Sequence, residues 1–238
     1  MSLRPRAAAA IGPWGDDLAD APGWIDAGCP VPDDRRSPID LPMVPGFIES
    51  RFNPLVHRAM AACLGTLDPA SGSTTGVVLA SVLGDTTTAD RASVAVAAGR
   101  RPQPLLFYQS VPTSVLGHVS AAYGITGPMV CVSGTSGLYA DAVETADLML
   151  AEPEVSRVLL VYVDIGAEQR PLESLRQLES HGEQPAPGYE CCVAVLVDAD
   201  GYGKIPAPPS SLQPPHPLAG FLALAGVQPD QRQTWGVR

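Results

Sequence analysis

Residues 111–137 read VPTSVLGHVSAAYGITGPMVCVSGTSG. The first part of this segment is typical of a helix, the pair Gly127-Pro128 of a tight turn, and the apolar Met129–Val132 of a short strand. From Ser136 onward, apolar residues recur every three to four positions, which is the pattern of an amphipathic helix laid on a sheet. The segment therefore predicts a helix, a strand and a second helix in succession.

Strands and helices alternate on both sides of this segment. Continuous apolar runs predict buried strands at residues 76–82, 158–163 and 191–197. Helical spacing of apolar residues predicts helices at residues 54–64, 87–98 and 218–225. Alternation of this kind indicates an α/β fold with layers of helices on a sheet.

Composition divides the chain into three parts. Residues 1–45 are rich in Pro, Gly and Asp, which predicts an irregular N-terminal arm held by Trp14 and Trp24. Residues 46–200 contain most of the periodic segments and form the predicted domain. Residues 201–238 are Pro-rich and are expected to form a tail that lies along the surface.

Charge and hydropathy exclude several classes of partner. The 238 residues carry a formal net charge of −10, and such a surface repels nucleic acid and anionic lipid. No apolar run approaches the roughly 20 residues that a membrane span needs. The basic start followed by AAAAI is too short for a signal peptide, and acidic residues follow it at once. We therefore expect a cytoplasmic protein without a membrane or nucleic-acid partner.

The five cysteines predict buried, reduced thiols rather than a disulfide framework, because they are odd in number and mostly lie in apolar surroundings. The four histidines show no metal-ligand spacing with them, so neither a metal site nor a cofactor is predicted. Cys191 and Cys192 are adjacent in a strand and are expected on opposite faces of the sheet.

The pattern VPxxxxGHxSxxYGxxGP of residues 111–128 resembles the segment that leads to the nucleophilic cysteine of β-ketoacyl synthases, members of the thiolase-like superfamily. ASVLGD at 80–85 and CCVAVLVDADG at 191–201 fit the same family. LPMVPGFIESRFNPLVHRAM at 41–60 resembles the half-length ketosynthase-like proteins of aryl-polyene and type II polyketide systems. This resemblance, over residues 40–200, implies an incomplete thiolase-like α/β fold with a mixed sheet flanked by helices.

The family's cysteine is absent from its expected position. Counted without gaps from Gly127-Pro128, that position falls on Ser136, whereas an alignment gapped to match the TSG triplets places Gly134 there. A thiolate is stabilised at the start of a helix, but a serine hydroxyl stays protonated near pH 7 and needs an adjacent base. Ser136 is thus either a changed nucleophile or a small residue that fills a vestigial site or caps the helix.

The resemblance also implies that other catalytic parts are missing. Ketosynthases take two histidines from a C-terminal half, and after Gly201 this chain has only His216. The second layer of the duplicated fold is likewise expected to be absent, which would leave one face of the sheet exposed unless a partner covers it. His118 lies in the resemblance pattern and is expected to be a structural histidine.

Candidate pocket and interface residues follow from the same resemblance. In ketosynthase dimers the segment before the VP element crosses the two-fold axis and closes the partner's acyl pocket, which places Leu106, Phe107 and Tyr108 there. Ordinary interface packing explains these residues equally well. The strand before the nucleophile joins the dimer, which assigns Met129 and Cys131 to the pocket or interface. The mid-strand position of Cys131 favours a core thiol over a nucleophile.

The resemblance implies a non-catalytic, chain-length-factor-like subunit. Its partner would be a full-length β-ketoacyl synthase, which would supply the cysteine, the histidines and the dock for the acyl carrier protein. An enzyme of another class, a Ser136-dependent acyltransferase or thioesterase-like hydrolase, is the alternative. A stand-alone module that binds acyl carriers is a third hypothesis, and the acidic surface argues against it.

Overall fold

A computed structural model describes residues 3–65, 69–101, 103–165, 172–173, 176–177, 188–199 and 217–227. The strands in these ranges are β1 (Leu3–Ile11), β2 (Thr75–Ala80), β3 (Met129–Val132), β4 (Arg157–Asp164) and β5 (Cys191–Ala199). The α-helices are α1 (Ala21–Asp26), α2 (Phe52–Leu64), α3 (Thr86–Ala97), α4 (Pro104–Ser110), α5 (Thr113–Tyr123), α6 (Leu138–Leu150) and α7 (Pro217–Leu224). The strands and helices predicted at residues 54–64, 76–82, 87–98, 158–163 and 191–197 are all present.

The five strands form one mixed sheet in the order β1-β5-β4-β2-β3. Strands β2, β3 and β4 run parallel, while β5 is antiparallel to β4 and β1 is antiparallel to β5. The apolar runs of β2, β4 and β5 are buried because both faces of these central strands are covered. The predicted α/β fold with a mixed sheet is confirmed.

Each face of the sheet has its own apolar core. On one face, α2 and α5 pack with the segment around Phe47 against alternate strand residues such as Leu159 and Leu196. On the other face, α6, α7 and α1 pack against the intervening residues such as Leu160 and Val195. Cys191 belongs to the second core and Cys192 to the first, as predicted from their adjacent positions in a strand.

The N-terminal arm is more ordered than its composition suggests. Leu3–Ile11 is strand β1, which pairs with β5 along the length of that strand, so the prediction of irregular structure is wrong there. The rings of Trp14 and Trp24 are 5.0 Å apart and pack beside the α6 core, which agrees with their predicted anchoring role.

The glycines of the 111–128 pattern are required by geometry. Gly124 ends α5 in the left-handed conformation, with φ 64°, where a side chain would be strained. A Cβ on Gly127 would lie 2.4 Å from the carbonyl oxygen of Thr75, so only glycine lets the Gly-Pro turn approach the start of β2. The backbone N–H of Val77 then donates to Pro128 and sets the register of β2 against β3.

The C-terminal part differs from the prediction of a tail along the surface. The helix predicted at 218–225 is α7, and it is buried in the core beside α6 rather than lying on the surface. The face of the sheet that was expected to be exposed is therefore covered by α6 and α7. Apart from residues 217–227, the predicted tail, including His216, lies outside the described residues.

Candidate functional site at the carboxyl ends of the parallel strands

The carboxyl ends of the three parallel strands lie side by side, because Ala80 of β2 pairs with both Val132 of β3 and Tyr162 of β4. Ligand sites of open α/β sheets form at this edge. Two strand-to-helix turns begin here, at residues 81–85 after β2 and at residues 133–137 after β3. These two turns and the end of β4 make up the candidate site.

Ser136 lies in the turn after β3 and is exposed. Its hydroxyl makes no hydrogen bond to any residue in the described ranges. Helix α6 starts at Leu138, and its N-cap is Gly137 with φ 72° and no side-chain capping bond. Ser136 therefore does not cap the helix, so that part of the prediction is wrong.

The start of α6 is a poor place for an anion. Asp141 is an acidic residue in the first turn, and its carboxylate lies 3.9 Å from the point that a Cβ on Gly137 would occupy. A carboxylate there offsets the positive potential that the backbone N–H groups produce at a helix N-terminus. The turn thus offers little stabilisation to a negatively charged nucleophile or oxyanion.

The two histidines with described surroundings lie on the opposite side of the sheet from α6. His57 of α2 and His118 of α5 have ring centroids 5.7 Å apart, and His118 meets Phe47 edge-on at 6.0 Å. Burial, and then the neighbouring His118, lower the pKa of His57. Because α2 and α5 cover one face and α6 the other, neither imidazole is placed as a base for Ser136.

Strand β3 is an edge of the sheet, and in the described ranges it pairs with β2 alone. Its residues are partly open to solvent, Val130 at 37% and Met129 to a smaller degree. Cys131 is exposed, so the prediction of a core thiol is wrong. The reason is that the interior of a strand is buried only where both its neighbours and its faces are covered.

The segment predicted to form a pocket or interface lies on α4. Leu106 is buried, whereas Phe107 is 74% exposed and Tyr108 is 47% exposed. The ring of Tyr108 contacts that of Phe47 with centroids 5.5 Å apart. Of the three predicted pocket or interface residues, Leu106 is therefore in the core, whereas Phe107 and Tyr108 are open to solvent.

The turn after β2 contains a buried polar network that sequence reasoning missed. Asp85 caps α3 by accepting bonds from the backbone N–H and the hydroxyl of Thr88, at 3.1 and 2.8 Å. The amide of Asn53 donates to Asp85 at 3.3 Å and to the carbonyl of Gln109 at 3.1 Å. The network connects α2, α3 and α4. An Asp directly before a helix is a typical N-cap, so Asp85 was the feature of the sequence that could have indicated this site.

Asp164 ends β4 and is 2% exposed. It accepts bonds from the hydroxyl of Ser81 at 3.0 Å and from the backbone N–H of Val82 at 3.1 Å, while Ser81 accepts from the N–H of Gly84 at 2.9 Å. Burial raises the pKa of Asp164 to about 6, against the lowering effect of these donors. The hydrogen bonds that this carboxyl accepts from Ser81 and Val82 hold the turn after β2 against the end of β4.

A cavity of about 350 Å³ opens beside α2 and α3, and Arg36, Arg51, Arg91, Phe47 and Ile165 are among its lining residues. Arg51 binds both oxygens of buried Glu190 at 2.8 Å, and Arg91 pairs with Glu49. Two of these three arginines are therefore neutralised within the protein. No group of three potential metal ligands occurs among the described residues.

Comparison with known proteins identifies the family. The sequence model of the beta-ketoacyl synthase N-terminal domain matches residues 24–195, which is well over half of the chain. The chain belongs to the β-ketoacyl synthase family. The fold is the incomplete thiolase-like α/β fold that the resemblance implied. A comparison with curated proteins found no match to the sequence.

Solved ketosynthase structures share this fold at low identity. A ketosynthase (ApeO) in complex with its chain length factor (ApeC) from Xenorhabdus doucetiae matches at TM-score 0.68 and 18% identity, over 85% of this chain and 81% of that chain. The ishigamide ketosynthase/chain length factor matches at TM-score 0.66 and 17% identity, over 87% of this chain and 64% of that one.

A beta-ketoacyl synthase from Burkholderia phymatum STM815 matches at TM-score 0.65 and 14% identity, over 83% of this chain and 59% of that one. The chain thus spans less than two thirds of the length of this synthase and of the ishigamide protein. None of the helices within the described ranges is both long and apolar enough to cross a membrane.

Proposed function

We propose that this ketosynthase-like domain is a non-catalytic, chain-length-factor-like subunit that pairs with a full-length β-ketoacyl synthase in polyketide or polyene biosynthesis. The reaction supported would be the decarboxylative elongation of a carrier-bound acyl chain. The partner would supply the nucleophilic cysteine, the histidines and the contact with the acyl carrier protein. This places the protein in the cytoplasm, where such carrier-bound intermediates are made.

The observation that carries this proposal is the state of the turn after β3. In a family whose chemistry uses a thiolate at this turn, the exposed Ser136 has no described hydrogen-bond partner, and a carboxylate lies at the start of α6. A serine nucleophile needs a base within about 3 Å, and none of the described imidazoles is so placed. This arrangement favours the non-catalytic role over a Ser136-dependent acyltransferase.

The edge of β3 supports pairing. An edge strand presents unpaired backbone groups, and natural proteins usually protect such an edge with charge, Pro or a covering element. Residues 129–132, MVCV, contain neither charge nor Pro. Addition of a partner strand would satisfy these groups and bury Val130 and Cys131.

An apolar surface on α3 and α4 also supports pairing. These two helices contact each other, and together they expose five large apolar side chains. The five are Val94 and Val96 of α3 and Leu105, Phe107 and Tyr108 of α4. Large exposed apolar side chains on helices that contact each other are often found at protein interaction sites. The formal net charge of −10 argues against direct docking of an acidic carrier protein, so that contact is assigned to the partner.

Co-expression with full-length ketosynthases of the same organism tests the pairing. We expect co-purification as a heterodimer, measured by size exclusion with light scattering. Val130→Lys, which places a charge on the β3 edge, is expected to abolish co-elution. Val31→Lys is the matched control, because Val31 is 44% exposed, lies outside the β3 edge and follows Pro30, whose carbonyl accepts a hydrogen bond from the Trp24 ring.

A chain that stays monomeric with every ketosynthase tested would contradict the proposed pairing. So would a Val130→Lys variant that pairs as tightly as the wild type. Loss of pairing in both lysine variants would show that the effect is not specific to β3.

A further inference from the structure

Helix α7 has an unusual composition for the last described helix of a chain. Its sequence is PLAGFLAL, with no polar side chain, and seven of its eight residues are buried. A helix that is hydrophobic on all sides is stable in water only when it is enclosed. Helix α7 therefore occupies a groove that suits an apolar helix.

The width of the sheet explains why this groove exists. Strands lie about 4.8 Å apart, so five strands span roughly 19 Å, whereas one helix covers about 10 Å. Helix α6 contacts mainly β2 and β4, and α7 contacts α6 and β5. The two helices thus cover most of this face, with α1 packed beside them, and without α7 the region between α6 and β5 would be open.

The fit of α7 is specific. The ring of Phe221 stacks on Tyr162 of β4 with centroids 5.0 Å apart and meets Tyr139 of α6 edge-on at 5.2 Å. A Cβ on Gly220 would lie 2.5 Å from the Tyr139 ring, so the backbone of α7 lies directly against this ring. Tyr139 lies in the first turn of α6, three residues after Ser136, so α7 packs against the start of this helix.

We propose that the groove between α6 and β5 is a docking site for an apolar helix, and that α7 is its ligand, supplied by the same chain. Helix α7 lies outside residues 24–195, the part that the family model matches, as do strand β1 and the end of β5. The groove is closed to other apolar ligands while α7 is bound. This inference is independent of any pairing through β3.

Two single variants of the full chain test the docking. Gly220→Val places a branched side chain against Tyr139, whereas Ala223→Val makes a similar change at the one half-buried position of the same helix. In hydrogen-exchange mass spectrometry, the amides of residues 217–227 are expected to exchange at least tenfold faster in Gly220→Val than in the wild type or in Ala223→Val. A labelled synthetic peptide of residues 215–228 is expected to bind Gly220→Val and not the wild type.

A compensating variant separates docking from general damage. Tyr139→Ala removes the ring that Gly220→Val would strike, so the double variant is expected to regain protection of α7. If Gly220→Val does not fold, Gly220→Ala serves, because alanine favours the helix and only the contact with Tyr139 can then loosen it. Rapid exchange of α7 in the wild type, full protection in Gly220→Val, or equal peptide binding by both chains would overturn the proposal.

Discussion

The turn after β2 and the turn after β3 begin at paired positions on the same edge of the sheet, but they are built in opposite ways. In the first, Ser81 and Asp85 are buried and each makes at least two hydrogen bonds. In the second, Ser136 is exposed with no described partner, and glycine caps the helix. The comparison indicates that buried side-chain hydrogen bonds stabilise the turn after β2, whereas the side chains of the turn after β3 contribute little to stability.

The largest effect on stability is expected when the hydrogen bonds of Asp85, the cap of α3 in the turn after β2, are removed. Asp85→Ala removes the α3 cap, leaves the buried Thr88 without its acceptor and removes one of the two acceptors of the Asn53 amide. We expect a loss of about 4 kcal/mol in the free energy of unfolding, measured by urea denaturation. Asp85→Asn retains one acceptor oxygen and should lose about half as much. Equal stability of Asp85→Ala and the wild type would contradict the assigned role.

A second prediction concerns pH, through the carboxyl that holds the same turn. The pKa of Asp164 in the folded state, about 6, lies above its ordinary value of 3.8, so the folded state holds this proton more tightly. The contribution of Asp164 to stability is therefore fully present below pH 3.8 and falls as the pH rises to about 6.

Asp164→Asn cannot ionise, so its free energy of unfolding is expected to rise relative to that of the wild type between pH 4 and pH 7. The gain in the free energy of unfolding is at most about 3 kcal/mol. Denaturation of both proteins across this range measures it. A constant difference between the two proteins at all pH values would show that Asp164 does not titrate as described.

The parts of the fold that were predictable are those determined by local sequence. Continuous apolar runs identified β2, β4 and β5. The α3 cap at Asp85 was missed, although an Asp directly before a helix is a local signal for one. Strand β1 was missed because RPRAAAAI has neither alternation nor β-branched residues in most of its length. It is a strand because it pairs with β5, nearly 200 residues away, and this non-local pairing outweighs weak propensity.

The site was less predictable than the fold. Cys131 was expected in the core because MVCV is apolar, but burial of a strand depends on its place in the sheet, and β3 is at the edge. Burial of α7 depends on a groove formed by α6 and β5, which no local pattern reveals. Ser136 does not cap α6 because Gly137, in the left-handed conformation, is the N-cap residue.

Gly137 permits a smaller test within the turn after β3. Its φ of 72° is costly for any residue with a Cβ, so Gly137→Ala is expected to lower the free energy of unfolding by about 1 kcal/mol. Gly134→Ala is the matched control, since Gly134 does not have a positive φ and its Cβ would make only an ordinary contact at 3.5 Å. Similar losses in the two variants would contradict the backbone argument.

The smallest effect is expected at Ser136, although its position relates most directly to chemistry. Ser136→Ala removes an exposed hydroxyl without a described partner, so stability should change by less than about 0.5 kcal/mol. Incubation of the wild type with an acyl thioester should give no increase in intact mass, because neither described imidazole is placed to activate the hydroxyl. Ser133→Ala, an exposed serine of the same turn, is the control. An adduct that forms on the wild type and on Ser133→Ala but not on Ser136→Ala would make this turn a nucleophile site and would contradict the non-catalytic role.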